Sequence, residues 1–400
     1  MKPLPRWEGH KLHSLMPLLF RKRTVMAAWE KVRKNKGAPG VDGETVEEFE
    51  KDLKRRTMAI GEDLRLFRWQ PKPLRRVLIP KPDGRKRGLS IPCIEDRVVH
   101  GALAIVLYPV FEDRFGPECF AYMNGRSALD AIERVRNGIR AGKAWVVETD
   151  VQKFYYTMDR KRMLGKLAER IADGTFLRTV SKVIHSGVLG EMEDGAAKDI
   201  GVPQGSPLSP VLANIYLANF DREVGSRWML TRYSDDLVVQ CDTKEEAEAA
   251  LAAIEEALRK EGLEIKKEKT RVVHAREGFD FLGYHITEQG LRPTKKALKS
   301  LKEKVRAVTR RHDTRPLKEM VPREMRIVNG WTNYYRLVEP SVLWPLGGWL
   351  LTRTRTRMKK RGTRYRKWNV PMQEVYDAGL RLPYHILTDY HPQRLGKPYE

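Results

Sequence analysis

Residues 228–240 read WMLTRYSDDLVVQ, in which two adjacent aspartates, Asp235 and Asp236, separate two apolar segments. The apolar segments predict the two strands of a β-hairpin with the aspartates at its tip. Adjacent carboxylates between buried strands repel each other and lose hydration, so a purely structural role is disfavoured. A divalent cation removes that cost because it supplies the opposite charge. The segment therefore predicts a metal-dependent active site at the hairpin tip.

A third carboxylate strengthens this interpretation. Residues 144–149 read AWVVET, which predicts a strand that ends at Asp150. Two Mg²⁺ ions held about 4 Å apart by carboxylates activate one oxygen and stabilise another in phosphoryl transfer. A lone Asp-Asp pair is more often a solvated turn, but a hairpin context with an upstream strand-end aspartate favours catalysis.

The charge distribution indicates a polyanionic partner. The 400-residue chain has 76 Lys and Arg against 52 Asp and Glu, a net charge of +24. Residues 1–40 sum to +8 (ten basic, two acidic) and residues 291–370 to +18 (23 basic, five acidic). The two remaining segments, 41–290 and 371–400, sum to −1 each. A near-neutral centre between two basic segments predicts nucleic-acid binding, with a membrane surface as the weaker alternative.

Several classes of protein are excluded. The sequence has no run of 18 apolar residues and no signal-peptide pattern near its start, which excludes a membrane channel. Nucleic acid rather than a membrane is the expected partner. Three separated cysteines, Cys93, Cys119 and Cys241, exclude a disulfide scaffold and a Cys-x-x-Cys metal site. We therefore expect a cytoplasmic protein.

Strand and helix patterns alternate up to about residue 290, and only helical patterns follow, which predicts an α+β body with a helical appendage. Thr45 and Glu48 form a predicted N-terminal capping box. Residues 76–81 and 87–92 predict a hairpin around the turn 82–85. Further helices are predicted at about 94–113, 126–141, 160–172, 207–224 and 243–262, and strands at 271–274 and 279–287.

Several blocks, in order, resemble group II intron reverse transcriptases. Tyr233-Ser234-Asp235-Asp236 resembles their Y-x-D-D signature, and residues 201–217 resemble their P-Q-G-x-x-x-S-P-x-L-x-N block. Further resembling blocks are residues 36–43, 150–155, 281–284 (the primer grip) and 330–335 (the maturase or thumb motif).

The resemblance implies an RNA-directed DNA polymerase, a nucleotidyltransferase with two Mg²⁺ ions and Mn²⁺ as an alternative. It implies that Asp150, Asp235 and Asp236 bind both metals, with the Val151 carbonyl as a further ligand. Lys269 matches the family lysine proposed to protonate the departing pyrophosphate, although it could equally be one more solvated lysine.

The resemblance also implies a set of dNTP-binding residues. Tyr155 would lie beneath the incoming sugar and exclude a 2′-hydroxyl, although its spacing alone also suits an ordinary core aromatic. The other members of this set are Lys81, Arg87, Val151, Gln204 and Gly205.

The implied contacts to nucleic acid lie in the primer grip and the basic segment. The primer grip consists of Phe281, Leu282, Gly283 and Tyr284. The basic segment contributes Lys295, Lys296, Lys299, Lys302, Trp331, Asn333, Tyr334, Tyr335, Arg353, Arg355 and Arg357. Buried thumb aromatics remain an equal alternative for the tryptophan and tyrosines.

The implied fold is a right-hand polymerase with an antiparallel palm sheet. Residues 1–70 would form an N-terminal extension and the start of the fingers, and residues 71–290 the fingers and palm. A helical thumb/maturase domain would follow at 291–370, then a short tail at 371–400. No H-N-H or Cys-pair pattern follows residue 370, so no endonuclease domain is expected.

The chain departs from the family pattern at several positions. Ser234 replaces the usual Ala, and residues 121–127 read AYMNGRS where the family often has GFRPGRS. Gly88 and Ser90 differ from the Pro and Gly of the R-P-L-G return strand, and His100 lies near the usual Gln. None of these departures removes a predicted metal ligand.

Four roles compete. The leading one is an intron-encoded protein that copies its intron and assists splicing, with an RNA template, an RNA/DNA hybrid, dNTPs, structured intron RNA and a DNA target as partners. The alternative is a host-adopted polymerase in phage defence, spacer acquisition or DNA repair. A maturase without synthesis and a basic binding scaffold are disfavoured, because neither needs the three aspartates.

Overall fold

The computed structural model describes residue 7 and residues 9–80, 86–189, 201–310, 315–359 and 372–390. The chain divides into two compact units. The first consists of Met1–Ser127, Val147–Val239 and Glu248–Arg271, and the second of Ala128–Val146, Gln240–Ala247 and Val272–Glu400.

The described residues form an α+β fold. The strands are β1 Leu74–Pro80, β2 Lys86–Ile91, β3 Trp145–Asp150, β4 Val188–Leu189, β5 Met229–Tyr233, β6 Asp236–Cys241, β7 Arg271–His274, β8 Phe279–Phe281, β9 Tyr284–Thr287 and β10 Gly290–Pro293. The helices up to β7 are α1 Met16–Leu19, α2 Lys22–Asn35, α3 Val46–Lys51, α4 Leu53–Arg65, α5 Ile94–Phe111, α6 Ala128–Arg140, α7 Phe154–Thr157, α8 Arg160–Ala168, α9 Gly174–Ile184, α10 Ser209–Gly225 and α11 Lys244–Lys260. After β10 follow α12 Lys295–Val308, α13 Leu317–Tyr334, α14 Trp344–Lys359, α15 Met372–Asp377 and α16 Pro383–Tyr390.

The predicted capping box at the start of α3 is confirmed. The Glu48 N–H donates to the Thr45 hydroxyl at 3.2 Å, and the Thr45 N–H donates to the Glu48 carboxylate at 2.8 Å. Two otherwise unpaired donors at the helix start are thereby satisfied. The ring of Phe49 in this helix stacks on Trp29 of α2, with centroids 4.9 Å apart.

The predicted hairpin before residue 92 is also confirmed. Strands β1 and β2 are antiparallel, with Arg75 opposite Ile91 and Ile79 opposite Arg87, and β4 pairs with β1 in parallel. We call this pair of strands the β1–β2 hairpin.

A four-stranded sheet carries the residues of the predicted active site. Its strand order is β5-β6-β3-β7. The predicted helix at 160–172 ends at Ala168, and α9 follows as an element that the sequence patterns did not predict. Asp159 and Asp173 accept N–H groups at the starts of α8 and α9, so each of these helices has its own N-cap.

The second unit contains a three-stranded sheet in the order β10-β9-β8. The single strand predicted at 279–287 is two strands, because Leu282 and Gly283 both have positive φ angles, 48° and 82°, and turn the chain back. The expectation of helices alone after about residue 290 misses strand β10, whereas the described residues between 294 and 370 contain helices and no strand, as predicted. No described helix combines the length and apolar character needed to cross a bilayer.

Candidate active site

Asp150, Asp235 and Asp236 meet at one end of the four-stranded sheet. Asp150 ends β3, Asp236 begins β6, and these two strands are neighbours. The Val151 N–H donates to the Asp235 carbonyl at 3.1 Å, which fastens the end of β3 to the hairpin tip. The structure thus brings together three carboxylates from two separate segments of the sequence.

These carboxylates repel one another. Burial raises the pKa of Asp236 to about 7, and the charges of Asp235 and Asp150 add to this shift while Lys269 opposes it. Desolvation and like charge both disfavour an ionised carboxylate, so the cluster holds more negative charge than its surroundings neutralise.

Lys269 is a cation beside this cluster. Its ammonium forms an ion pair with the Asp150 carboxylate. Burial alone would lower the pKa of Lys269, but the hydrogen bond and charge of Asp150, with the charges of Asp236 and Asp235, raise it above its ordinary value. The side chain is therefore held in its protonated form.

The donor chemistry of the cluster fits a divalent cation. Mg²⁺ prefers hard oxygen ligands, and its charge would relieve the repulsion that raises the pKa of Asp236. Within the part of the chain that the structure describes, no three His, Cys, Asp or Glu side chains form a ready-made metal-ligand group. Because the Asp150 carboxylate is paired with Lys269, a metal ion that binds Asp150 would compete with this ion pair.

The turn that carries Asp235 rests on a buried ion pair that the sequence patterns did not predict. Arg232 is fully buried, and its Nε and Nη2 donate to the two carboxylate oxygens of Asp221 at 2.6 and 2.5 Å. The Nη1 of Arg232 donates to the Ser234 carbonyl at 3.2 Å. Ser234 has a φ of 62°, a left-handed conformation that needs support from its surroundings. The single charge of Arg232 within the strand pattern 229–233 is the available signal, whereas Asp221 stands directly before Arg222 and Glu223.

Tyr155 lies close to the same turn. It is 7% exposed, and its hydroxyl is 3.4 Å from the Ser234 hydroxyl. Burial raises the pKa of Tyr155, so the phenol stays protonated and uncharged.

The predicted loop residues Gln204 and Gly205 are placed by contacts of the backbone. The Ser90 N–H donates to the Gln204 carbonyl at 2.7 Å. Gly205 has a φ of 114°, and a Cβ there would lie 2.5 Å from the Ser90 carbonyl oxygen, so this position requires glycine. The hydroxyl oxygen of the next residue, Ser206, lies 3.0 Å from Nδ1 of the buried His100. Burial lowers the pKa of His100 to about 3.

Two basic residues, Lys81 and Arg87, were predicted to bind the dNTP from the β1–β2 hairpin and its turn. Lys81 lies outside the described residues. The backbone of Arg87 lies in β2 opposite Ile79.

The primer-grip residues pack in the second unit. Phe281 and Tyr284 are buried, and the carbonyls of Leu282 and Gly283 accept the hydroxyls of Tyr334 and Tyr335 at 2.7 and 3.2 Å. The same cluster includes Trp331, whose ring centroid lies 4.3 Å from that of Tyr335. Tyr335 is 4% exposed, which favours packing over base stacking for this ring, whereas Asn333 is exposed.

Helix α12 of the basic segment carries exposed lysines. Helix α12 buries Leu301 and Val305, while Lys295, Lys296 and Lys299 are exposed. Two further residues predicted to bind nucleic acid contact other residues of the protein. The Lys302 Nζ lies 5.3 Å from the ring centroid of Trp349, and Arg353 donates to the Thr309 carbonyl at 2.8 Å. Arg355 is half-buried, and Arg357 lies in α14.

Two family models match the chain. The reverse transcriptase (RNA-dependent DNA polymerase) family matches residues 79–286, just over half of the chain, and the group II intron maturase-specific domain matches residues 298–374.

Individual known proteins are similar as well. Protein YkfC of Escherichia coli is 28% identical over 69% of this chain and 83% of its own length. The group II intron-encoded protein LtrA of Lactococcus lactis is 28% identical over 52% of this chain, which spans only 34% of LtrA. Among solved structures, telomerase from Candida albicans aligns with 87% of this chain and 67% of its own, at 11% identity and a TM-score of 0.43.

Proposed function

The chain belongs to the reverse transcriptase family of RNA-dependent DNA polymerases, and from that premise we propose that it extends a primer on an RNA template by two-metal nucleotidyl transfer. The observation that carries the proposal is the convergence of Asp150, Asp235 and Asp236 beside one lysine, with Tyr155 next to the same turn. Extension of a labelled primer on RNA, assayed with dNTPs and Mg²⁺, tests it.

Each residue of the cluster has a proposed task. The three aspartates, with the Val151 carbonyl, would hold two Mg²⁺ or Mn²⁺ ions. When bound, these ions supply positive charge where the primer hydroxyl attacks and where pyrophosphate leaves. The protonated Lys269 ammonium, which lies beside Asp150, would give a proton to the leaving pyrophosphate. The dNTP would contact Tyr155, Gln204, Gly205 and the hairpin cations Lys81 and Arg87.

Replacing Tyr155 by Val is expected to relax sugar selection. A buried ring below the sugar would exclude a 2′-hydroxyl sterically, and exclusion of one small group in a pocket is worth about 10–200-fold. Preference for dNTP over NTP should fall by about that factor in single-nucleotide extension assays. Tyr155→Phe keeps the ring and should keep the preference. An unchanged preference in Tyr155→Val would contradict the steric role.

RNA affinity is expected to fall steeply with salt. The three exposed lysines of α12 offer charges to phosphates, and each phosphate contact adds close to one unit to the slope of log affinity against log salt. Replacing Lys295, Lys296 and Lys299 together by Ala should lower that slope by about two to three units in filter binding, whereas Arg at the same positions should preserve it. Equal slopes for the Ala variant and the unmodified protein would show that this face does not meet RNA.

The basic second unit supports a further proposal, binding of a structured intron RNA and assistance in its splicing. The match to the maturase-specific domain covers residues 298–374 and so includes most of α12, with its exposed Lys299. Sequencing the RNA that copurifies from the native host tests this role. One long structured RNA whose gene encloses this reading frame supports it, and heterogeneous short RNA favours a host-adopted polymerase instead.

A further inference from the structure

The guanidinium of Arg76 joins three segments of the first unit. Its Nη1 donates to the Ser90 hydroxyl at 2.9 Å, and its Nη2 donates to the Tyr156 hydroxyl at 2.9 Å. The Tyr156 hydroxyl in turn donates to the Gly88 carbonyl at 2.9 Å. The guanidinium carbon also lies 5.3 Å from the centroid of the Tyr156 ring. One arginine of β1 therefore holds the return strand β2 and the short helix α7 together.

Two of the departures from the family pattern provide the space and the acceptor for this arginine. A Cβ on Gly88 would overlap the Arg76 guanidinium, and the three atoms nearest to that position all belong to Arg76. Ser90, where the family pattern has glycine, supplies the hydroxyl that accepts from Nη1. Gly88 has no left-handed φ, so the arginine rather than the backbone explains why a side chain is excluded here.

The same contacts reach the residues proposed to bind the nucleotide. Tyr156 follows Tyr155, whose carbonyl accepts the Val202 N–H at 2.7 Å. Ser90 donates its own N–H to the Gln204 carbonyl at 2.7 Å. The α7 side and the Gln204–Gly205 side of the proposed dNTP site are thus both linked to one guanidinium.

We propose that Arg76 is a positioning residue that holds the β1–β2 hairpin, Tyr155 and the Gln204–Gly205 loop in register before a dNTP binds. The inference rests on the proposed polymerase function but names a residue outside the proposed dNTP contacts. Preorganised contacts lower the cost of binding, so their loss weakens nucleotide affinity more than the chemical step.

Arg76→Met is expected to raise the KM for dNTP about tenfold while kcat changes less than about threefold. Gly88→Ala should produce the same split, because its methyl group displaces the guanidinium. The double variant should resemble either single variant, since both remove one set of contacts. Arg259→Met is the matched control, because Arg259 is exposed and pairs only with its helix neighbour Glu256 in the described contacts.

An additive double variant, or an unchanged KM in Arg76→Met and in Gly88→Ala, would overturn the inference. Amide hydrogen exchange provides a readout that does not need activity. In Arg76→Met the Ser90 and Val202 amides should exchange faster, and the Arg259 control should leave them unchanged. If the unmodified protein extends no primer, the proposed function fails, and exchange at these two amides alone decides the role of Arg76.

Discussion

Replacing Asp236 by Asn is expected to reduce primer extension about 10³-fold or more while the protein remains folded. The substitution keeps the shape of the side chain and removes one negative ligand from the proposed metal site. A 10³-fold loss of rate corresponds to about 4 kcal/mol of transition-state stabilisation. A loss of this size is expected when a catalytic metal ion is no longer held by its ligands. Single-turnover extension on an RNA template measures the effect.

The same variant has a second expected result, on stability without metal. The pKa of Asp236 is raised to about 7 in the folded protein, so the protonated form stabilises the fold and this contribution is lost as pH rises through 7. The loss accumulates between the ordinary carboxyl pKa of 3.8 and the raised value of about 7. In EDTA at pH 8, Asp236→Asn should therefore melt at a higher temperature than the unmodified protein, and this difference should shrink as the pH falls toward 3.8.

Asp242→Asn is the matched control for both measurements, because the Asp242 side chain is 60% exposed and pairs with Lys143. It should change neither extension nor the melting temperature appreciably. Normal extension by Asp236→Asn would refute the metal-ligand role of Asp236. A lower melting temperature of Asp236→Asn than of the unmodified protein, in EDTA at pH 8, would refute the repulsion among the three carboxylates.

Replacing Arg232 by Met is expected to lower the free energy of unfolding by about 3–5 kcal/mol. The substitution leaves the Asp221 carboxylate buried at 1% exposure without its cation, which is the costly way to break a buried ion pair. Urea denaturation followed by circular dichroism measures the loss.

A paired variant separates stability from positioning. Replacing Arg232 by Met and Asp221 by Leu together should recover most of the stability, because no unpaired charge remains buried. Extension should stay reduced, because the Ser234 carbonyl still lacks its donor. Arg259→Met, at an exposed pair, should cost less than about 1 kcal/mol. A loss of that small size in Arg232→Met would contradict the account.

Local patterns were sufficient to predict the elements that carry the site. The apolar segments around Asp235 and the strand before Asp150 gave the correct hairpin and strand, because alternation and turn residues act over a few positions. The Thr45 capping box was predictable for the same reason.

Contacts between distant segments were not predictable in this way. Arg232 and Asp221, or Arg76 and Tyr156, are joined only after the chain has folded. Residues 279–287 form two strands, β8 and β9, because Leu282 has a positive φ. Leucine rarely adopts this conformation, so the sequence does not predict the turn. Lys269 was identified only through the resemblance to a family. Its spacing in the sequence did not indicate that it pairs with Asp150.

The central claim is RNA-templated DNA synthesis, and one measurement tests it most directly. A labelled DNA primer annealed to RNA is incubated with the unmodified protein, dNTPs and Mg²⁺, and in parallel with the variant in which Asp235 and Asp236 are both Ala. We predict a ladder of DNA products that requires Mg²⁺ and dNTPs and is absent with the variant. Tight binding of the primer–template without extension, or equal extension by the variant, would contradict the account.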